Sequence, residues 1–532
     1  GANNVAVGTN ALEANTTGTE NVAVGALALD NSDVGSENTA IGKSALGNDT
    51  KGSRNTAVGN SALQTQNFTS ATNAYNSAFG FNAGGAVTTG LRNTLIGAKT
   101  GDTITTGGDN VAVGANALTA NTTASNNTAV GSSALIANTT GSENVAIGVN
   151  ALATNTTAAE NTAIGVNALY ANTTGGDNVA IGHNALDANT TASNNTAIGK
   201  AALTANTTAA NNTAVGRSAL EANTTGDRNV AMGGLALDAN TTADGNTAVG
   251  YEALSTNTTA EINTAVGFGA LKLNTTGGSN VAVGANALDA NTAGADNTAV
   301  GKDALSANTT ASNNTAMGSG AGTALTTGAS NVLVGYKAGY YLNALTTGTD
   351  NTIIGAYTRS SSATVDAEIV IGRFALGQGT LTATLGNTGN GATINIDGSD
   401  TSWAAHSDQR LKENITTSTA GLSFVNDLRP VTYTWKAKNA ISEDFTNYYD
   451  ADSTDPVNGV AGKTYHGFVA QELKATIDAH SEVANGNNLW AERVDDIQQI
   501  APSNLVPMLT KAIQELSTQL DAALARITTL EG

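Results

Sequence analysis

Cysteine is absent from all 532 residues. Disulfide bridges and thiolate metal sites are therefore excluded, and stability has to come from packing and assembly. Aromatic residues make up only 4% of the chain and charged residues 12%, too few for an ordinary globular composition over this length. Positive charge is scarce as well: 23 Lys and Arg face 43 Asp and Glu, a formal net charge of −20 with no basic block. Such a surface repels phosphates, so no nucleic acid partner is expected. Long apolar runs are also missing, and none approaches the roughly 20 residues of a membrane span, so no membrane insertion is expected. The chain opens GANNVAVG, without Met or a signal peptide, as expected of a mature form or fragment that starts inside a repeat. All four prolines (Pro430, Pro456, Pro502, Pro507) lie late in the chain, as do ten of the 23 Lys and Arg, within the last 126 residues. That shift in composition predicts a second, globular domain.

What fills the rest is a repeat of the kind NTAVGSSALIANTTG. The Gly closing each NxAxG motif falls at Gly8, Gly25, Gly42 and Gly59, then from Gly80 to Gly335 in steps of 17, and finally at Gly355 and Gly372. Two steps break the period, 21 residues after Gly59 and 20 after Gly335, leaving 22 turns of one solenoid. A period of 17 is too short for paired helices and suits two short strands with two turns. One strand is expected at NVAIG, with Val145 and Ile147 on one face, and the second around the Ala-Leu of SSALIAN. Stacking then places each Val and each Leu (Leu135, Leu152, Leu169, Leu186) over its counterpart, an apolar column that no single repeat buries alone.

Asn stands four residues before the Gly in every turn but the last, where Glu368 replaces it. Stacked amides such as Asn127, Asn144 and Asn161 predict a structural Asn ladder. The NTT triplets, such as Asn138-Thr139-Thr140, match the glycosylation sequon. They also suit a turn, and a solenoid copies its corner residues whether or not they carry sugar; the turn is the favoured reading.

These NxAxG rungs resemble the head repeats of trimeric autotransporter adhesins (the YadA-like head) over residues 1–376. The resemblance implies a left-handed parallel β-roll and a homotrimer. Residues 377–406 read as short strands broken by Gly and Asn turns, a neck. A domain at 407–532 follows, with strands expected at Val431–Trp435 and leading into HGFVAQEL (466–473). At 505–531 a helix is expected, in which Leu509, Ile513, Leu516, Leu520, Ala523, Ile527 and Leu530 form a heptad seam. A helix packed on its own domain is the rival to a coiled coil. The fold class is thus mainly β: a parallel β-roll of 17-residue rungs, homotrimeric, followed by a small α+β domain ending in a coiled-coil helix.

At 407–415 the chain reads SDQRLKENI, a dense ionic cluster after a nearly uncharged repeat. With LRPVTYTW, HGFVAQEL and the terminal heptads, it resembles the endosialidase-type intramolecular chaperone domain of phage tail fibres and tailspikes. That resemblance implies a Ser–Lys dyad, Ser407 as nucleophile and Lys412 as general base, cutting once between His406 and Ser407. A Ser hydroxyl needs a base to take its proton, and a Lys with a burial-lowered pKa is able to serve. Taken alone, the same spacing suits a helix N-cap at Ser407 with Lys412 solvated. His406 flanks the scissile bond and is expected to be incidental. Arg410 is expected to pair with a carboxylate. His466 and Glu472 are expected in core and inter-subunit packing, with polarisation of the dyad by one of them the lesser alternative, and His183 on the surface.

The functional expectation is a trimeric, receptor-binding fibre of the phage tail-fibre or tailspike type, located on the virion. Its C-terminal domain would act as a trimerisation chaperone and cut itself off in a single turnover. The alternatives are a bacterial cell-surface adhesin of the same architecture or a glycan-degrading tailspike. Glycan cleavage needs paired carboxylates in a groove, whereas the repeats carry only scattered acidic residues, so no activity on external substrates is expected. No GGxGxD-like spacing suggests calcium, and no metal or cofactor is expected.

Overall fold

A computed structural model describes residues 1–340, 342–388, 390–397, 404–405, 415–443, 449–458, 460–484, 489–492 and 498–531. The chain divides into two compact units, Gly1–His406 and Ser407–Gly532.

In the first unit, twenty-two three-residue strands from Val5–Val7 to Ile369–Ile371 pair in parallel, each with the strand one turn away. Thr128 lies opposite Val145, Ala129 opposite Ala146 and Val130 opposite Ile147. The longer steps keep this register, with Thr56 opposite Ser77 and Val332 opposite Thr352, because the extra residues loop out at the corners. At the first break Thr72–Asn73 forms its own small pairing with Gly52–Ser53.

The strand faces opposite to expectation. Ala146 is fully buried, whereas Val145 is half-buried and Ile147 is 38% exposed. The core is a stack of alanines and leucines (Ala129, Ala134, Leu135 and their counterparts), and the β-branched residues point outward. In most turns the interior is so narrow that the strand's inward position holds little more than a methyl; Leu95, Leu333, Ile353 and Val370 are the larger residues found there. The exceptions show why. Leu95 takes that position only where two neighbouring rungs carry Gly in place of the usual Leu: a Cβ on Gly84 would stand 2.6 Å from Leu95 Cδ1, and one on Gly101 3.0 Å from Leu95 Cδ2. Leu333 fits between Gly322 and Gly339 in the same way, at 2.5 and 2.9 Å.

The second strand does not form either. Around Ala134-Leu135 the chain turns, with Ser133 at φ 58° and Leu135 at φ 51°. Left-handed backbone is unfavourable for Leu. It is held here by full burial of the side chain and by the Leu135 N–H donating to Ala151 O at 3.1 Å. The repeat Gly is demanded more strictly: Gly131 has φ 139°, and a Cβ would sit 2.4 Å from Gly148 O of the next turn.

Two Asn columns run through the roll. In the first, Asn161 N–H donates to Asn144 Oδ1 (3.1 Å) and Asn161 Nδ2 to the corner carbonyl of Gly175 (3.0 Å). The ladder therefore joins side chain to backbone as much as side chain to side chain. The second column consists of the sequon asparagines. Asn155 Nδ2 donates to Asn138 Oδ1 (2.9 Å), and the chain of bonds continues unbroken to Asn308. Each of these amides is fully buried, so none is an acceptor for glycosylation in the folded roll, and the turn reading stands.

The roll's last turn is closed differently. Strand Thr382–Asn387 adds in parallel to Ile369–Ile371, and Asn390–Asn395 folds back antiparallel on it. With no further rung to continue the ladder, buried Glu368 accepts instead from Gly379 N–H (2.8 Å) and Ser361 N–H (3.0 Å). A carboxylate supplies two acceptors where an amide supplies one, which explains the exchange of Asn for Glu.

In the second unit, helix α1 (Leu422–Asp427) precedes an antiparallel pair, Val431–Tyr433 with Tyr465–Gly467. Helices α2 (Ala470–Ala479) and α3 (Ser481–Ala484), the pair Trp490–Glu492 with Gln498–Ile500, and the long helix α4 (Val506–Glu531) follow. Phe424 is the fully buried centre of a small core with Leu473, Ile477, Val483, Leu489 and Leu505.

Candidate functional site

Ser407, Lys412, His406 and Arg410 lie outside the described residues. The described part of the second unit begins at Ile415 and leads into α1, whose first amide is tied down: Leu422 N–H donates to Glu515 Oε2 of α4 at 2.8 Å. Lys511 Nζ stands 3.5 Å from Glu515 Oε1 and steadies that carboxylate. The chain that follows the ionic cluster is thereby anchored to the helix that carries the heptads.

Of the HGFVAQEL segment, Leu473 is in the core and Phe468 packs against it, rather than His466 and Glu472. His466 sits exposed on its strand opposite Thr432. Glu472, in the first turn of α2, is exposed and forms a two-pronged ion pair with Arg429, with Nε to Oε2 at 2.8 Å. The Arg429 hydrogen bond holds the Glu472 carboxyl below its ordinary range. This pair walls a shallow depression of about 250 Å³, also lined by Asp427, Phe468 and Thr476.

A cluster that the sequence did not signal lies at His480, the residue after α2. Its Nε2 is 2.8 Å from Asp427 Oδ2, at the end of α1, and its Nδ1 is 2.9 Å from Glu482 Oε1, in α3. The ring packs edge-on against Phe424, with centroids 5.4 Å apart. Hydrogen bonds to Asp427 first and to Glu482 second push the His480 pKa up. The imidazole ring thus pins α1 to the α2–α3 junction. Nothing in its spacing marks it, because its partners come from 53 residues upstream and 2 downstream.

On α4 the expected seam is open. Only Ala512 is buried, while Leu509, Ile513, Leu516, Leu520, Ile527 and Leu530 of that seam are 41–86% exposed, and Ala523 and the neighbouring Leu524 are exposed as well. The helix contacts its own unit through its first turns, around Ala512 and Glu515, and leaves the heptad stripe unpartnered. Among the described residues no group of His, Asp and Glu is placed to hold a metal, and no helix is long and apolar enough to cross a membrane.

The roll carries the second unpartnered surface. Its outward strand positions, one before and one after the central residue of each three-residue strand, number 44 over 22 turns, and none is charged. The later position is always Val, Ile, Met or Phe. By contrast, the residue after each repeat Gly varies freely and includes Val149, exposed His183, Lys200, Arg217, Tyr251 and Phe268.

No curated protein matches the chain. Residues 407–481 match the family model described as chaperone of endosialidase, and the match begins at Ser407. Residues 407–481 are thus similar to the endosialidase-chaperone family, and this match, together with the β-solenoid of 22 turns before it, supports a tail-fibre-type protein with a C-terminal chaperone domain.

Proposed function

We propose that the chain assembles as a homotrimeric, receptor-binding fibre on a virion, and that its C-terminal unit brings three copies together and then cuts itself away. The uncharged outward strand face carries this reading. At a rung spacing of about 4.8 Å it is about 100 Å long and about 10 Å wide, roughly 1,000 Å². A standard interface buries about 800 Å² per partner, and exposed apolar patches on monomers seldom pass about 600 Å². A partner that matches this face along its length needs the same rise per rung, and another copy of the chain has it. The open seam of α4 supports the same reading, since a heptad stripe is buried by like helices. The varied residues after each Gly would face outward, available to a receptor.

Near-identical rungs pair out of register at little cost, which is the need a C-terminal seed would answer. In the proposed cleavage, neutral Lys412 Nζ takes the proton of Ser407 Oγ, which attacks the His406 carbonyl carbon. The C–N bond breaks, the α-amine of Ser407 receives the proton, and water hydrolyses the ester, leaving His406 with a free carboxylate. Two observations support it: the family match starts at Ser407, and the chain divides into its two compact units between His406 and Ser407.

Sedimentation equilibrium tests the assembly, with three times the chain mass expected of the fibre. Val179→Lys with Ile181→Lys, which adds charge outside the roll's core, is expected to disperse the roll portion; a monomeric wild type would end the fibre reading. Denaturing mass spectrometry tests cleavage. Wild type is expected to give fragments 1–406 and 407–532, and Ser407→Ala and Lys412→Ala one intact chain. An intact wild-type chain would refute cleavage while leaving the assembly standing.

A further inference from the structure

The outward face is nearly the same from rung to rung, and one rung stands apart. Before the central strand residue stands Val, Thr or Ile in every turn except one, where it is Ser77; after the central residue stands Val, Ile or Met in every turn except the same one, where it is Phe79. The smallest and the largest side chain of the whole face thus share a single strand, Ser77–Phe79. Phe79 is 41% exposed, and its neighbours along the roll are Val58 and Ile96, while Ser77 lies between Thr56 and Thr94. The roll is also rebuilt immediately beside it, where Gly84 and Gly101 make room for Leu95.

We propose that Ser77 and Phe79 form a register key, the rung at which docked copies of this chain recognise their correct axial alignment. This deepens the fibre reading above and rests on it. In a rotationally symmetric assembly of parallel copies the contact is head-to-tail around the axis: the residue before the Ala in one copy meets the residue after the Ala in the next. In register, the Phe79 ring enters the space that Ser77 leaves. Shifted by one rung, the ring meets Thr56 or Thr94, which fill that space, and Ser77 faces a shorter aliphatic chain that leaves a gap. Elsewhere a shift merely exchanges Val for Thr or Val for Ile, near-isosteric changes that discriminate weakly. Met232 and Met317 are the other long side chains on the face, but the flexible thioether adapts to either alignment. An aromatic ring forced into an occupied site does not.

The absence of cysteine makes the test direct. Full-length chains carrying Thr213→Cys are co-assembled with chains carrying Val215→Cys, on the same rung, or Met232→Cys, one rung on, and disulfide yields are compared under mild oxidation. The same-rung pair is expected to exceed the next-rung pair by about tenfold, the factor an overpacked aromatic contact implies. Ser77→Thr with Phe79→Val installs the pair already present at Thr128 and Val130, so folding of the roll is preserved. In that background the two yields are expected to approach each other. If the ratio stays at its wild-type value, the key is refuted and the alignment is set elsewhere. If neither pair links in wild type, the outward face is not the contact between copies, and the fibre reading fails with it.

Discussion

Replacing the first-column Asn by Leu should cost different amounts at two rungs that look alike in sequence. At Asn161, the side-chain oxygen accepts from Asn178 N–H (3.0 Å) and Nδ2 donates to Gly175 O (3.0 Å). Gly175 O also accepts from Asn172 Nδ2 of the second column at 2.9 Å. Asn161→Leu therefore strands one buried group, the Asn178 N–H, at about 1–3 kcal/mol. At Asn93 the second column is interrupted, since Ile104 stands where Asn would be. Gly107 O then has Asn93 Nδ2 (2.9 Å) as its side-chain donor, and Asn110 N–H reaches Asn93 Oδ1 (3.1 Å). Asn93→Leu strands both groups, about 2–6 kcal/mol. Because rungs interact mainly with their neighbours, the loss should stay local and be read by hydrogen exchange in the adjoining strands. Those are Thr94–Ile96 and Val111–Val113 in one variant, and Thr162–Ile164 and Val179–Ile181 in the other. Each 1.4 kcal/mol accelerates exchange about tenfold, so the Asn93 variant should exceed the Asn161 variant by about tenfold or more. Equal acceleration would refute the claim that the two columns share the corner carbonyl.

Two more outcomes follow from the packing and the charges. Leu95→Ala should cost toward the upper end of about 2–5 kcal/mol, because Gly84 and Gly101 offer no side chain to collapse into the space; a smaller loss of thermal stability than for Leu135→Ala would contradict this. His480 has a raised pKa in the folded unit, so its stabilisation is fully present below the ordinary His pKa and is lost as pH rises through the folded value. Denaturant unfolding of the C-terminal unit should therefore weaken from mildly acidic to alkaline pH, and His480→Gln should flatten that slope; an unchanged slope would remove His480 as its source.

The 17-residue period, the 22 turns and the first Asn ladder were legible in the sequence because each is a repeated chemical demand. A Gly at φ near 139° recurs in every turn, and an amide between two backbones in every turn but the last, where the ladder ends at Glu368. The heptad stripe of α4 was legible for the same reason. The direction of the three-residue strand was not, since alternation tells which residues share a face and leaves open which face is inside. Nor was the turn at Ala134-Leu135, where buried leucines accept left-handed backbone that their own propensity opposes. The His480 cluster and the Glu515 anchor were invisible because their partners are joined by the fold, 53 and 93 residues away along the chain. By itself, then, the sequence determined the periodic architecture, since repetition writes one local requirement many times. The tertiary structure decided which side of each strand is core and which faces outward, because that depends on how much room the wound chain leaves at its centre, a property of all the turns together.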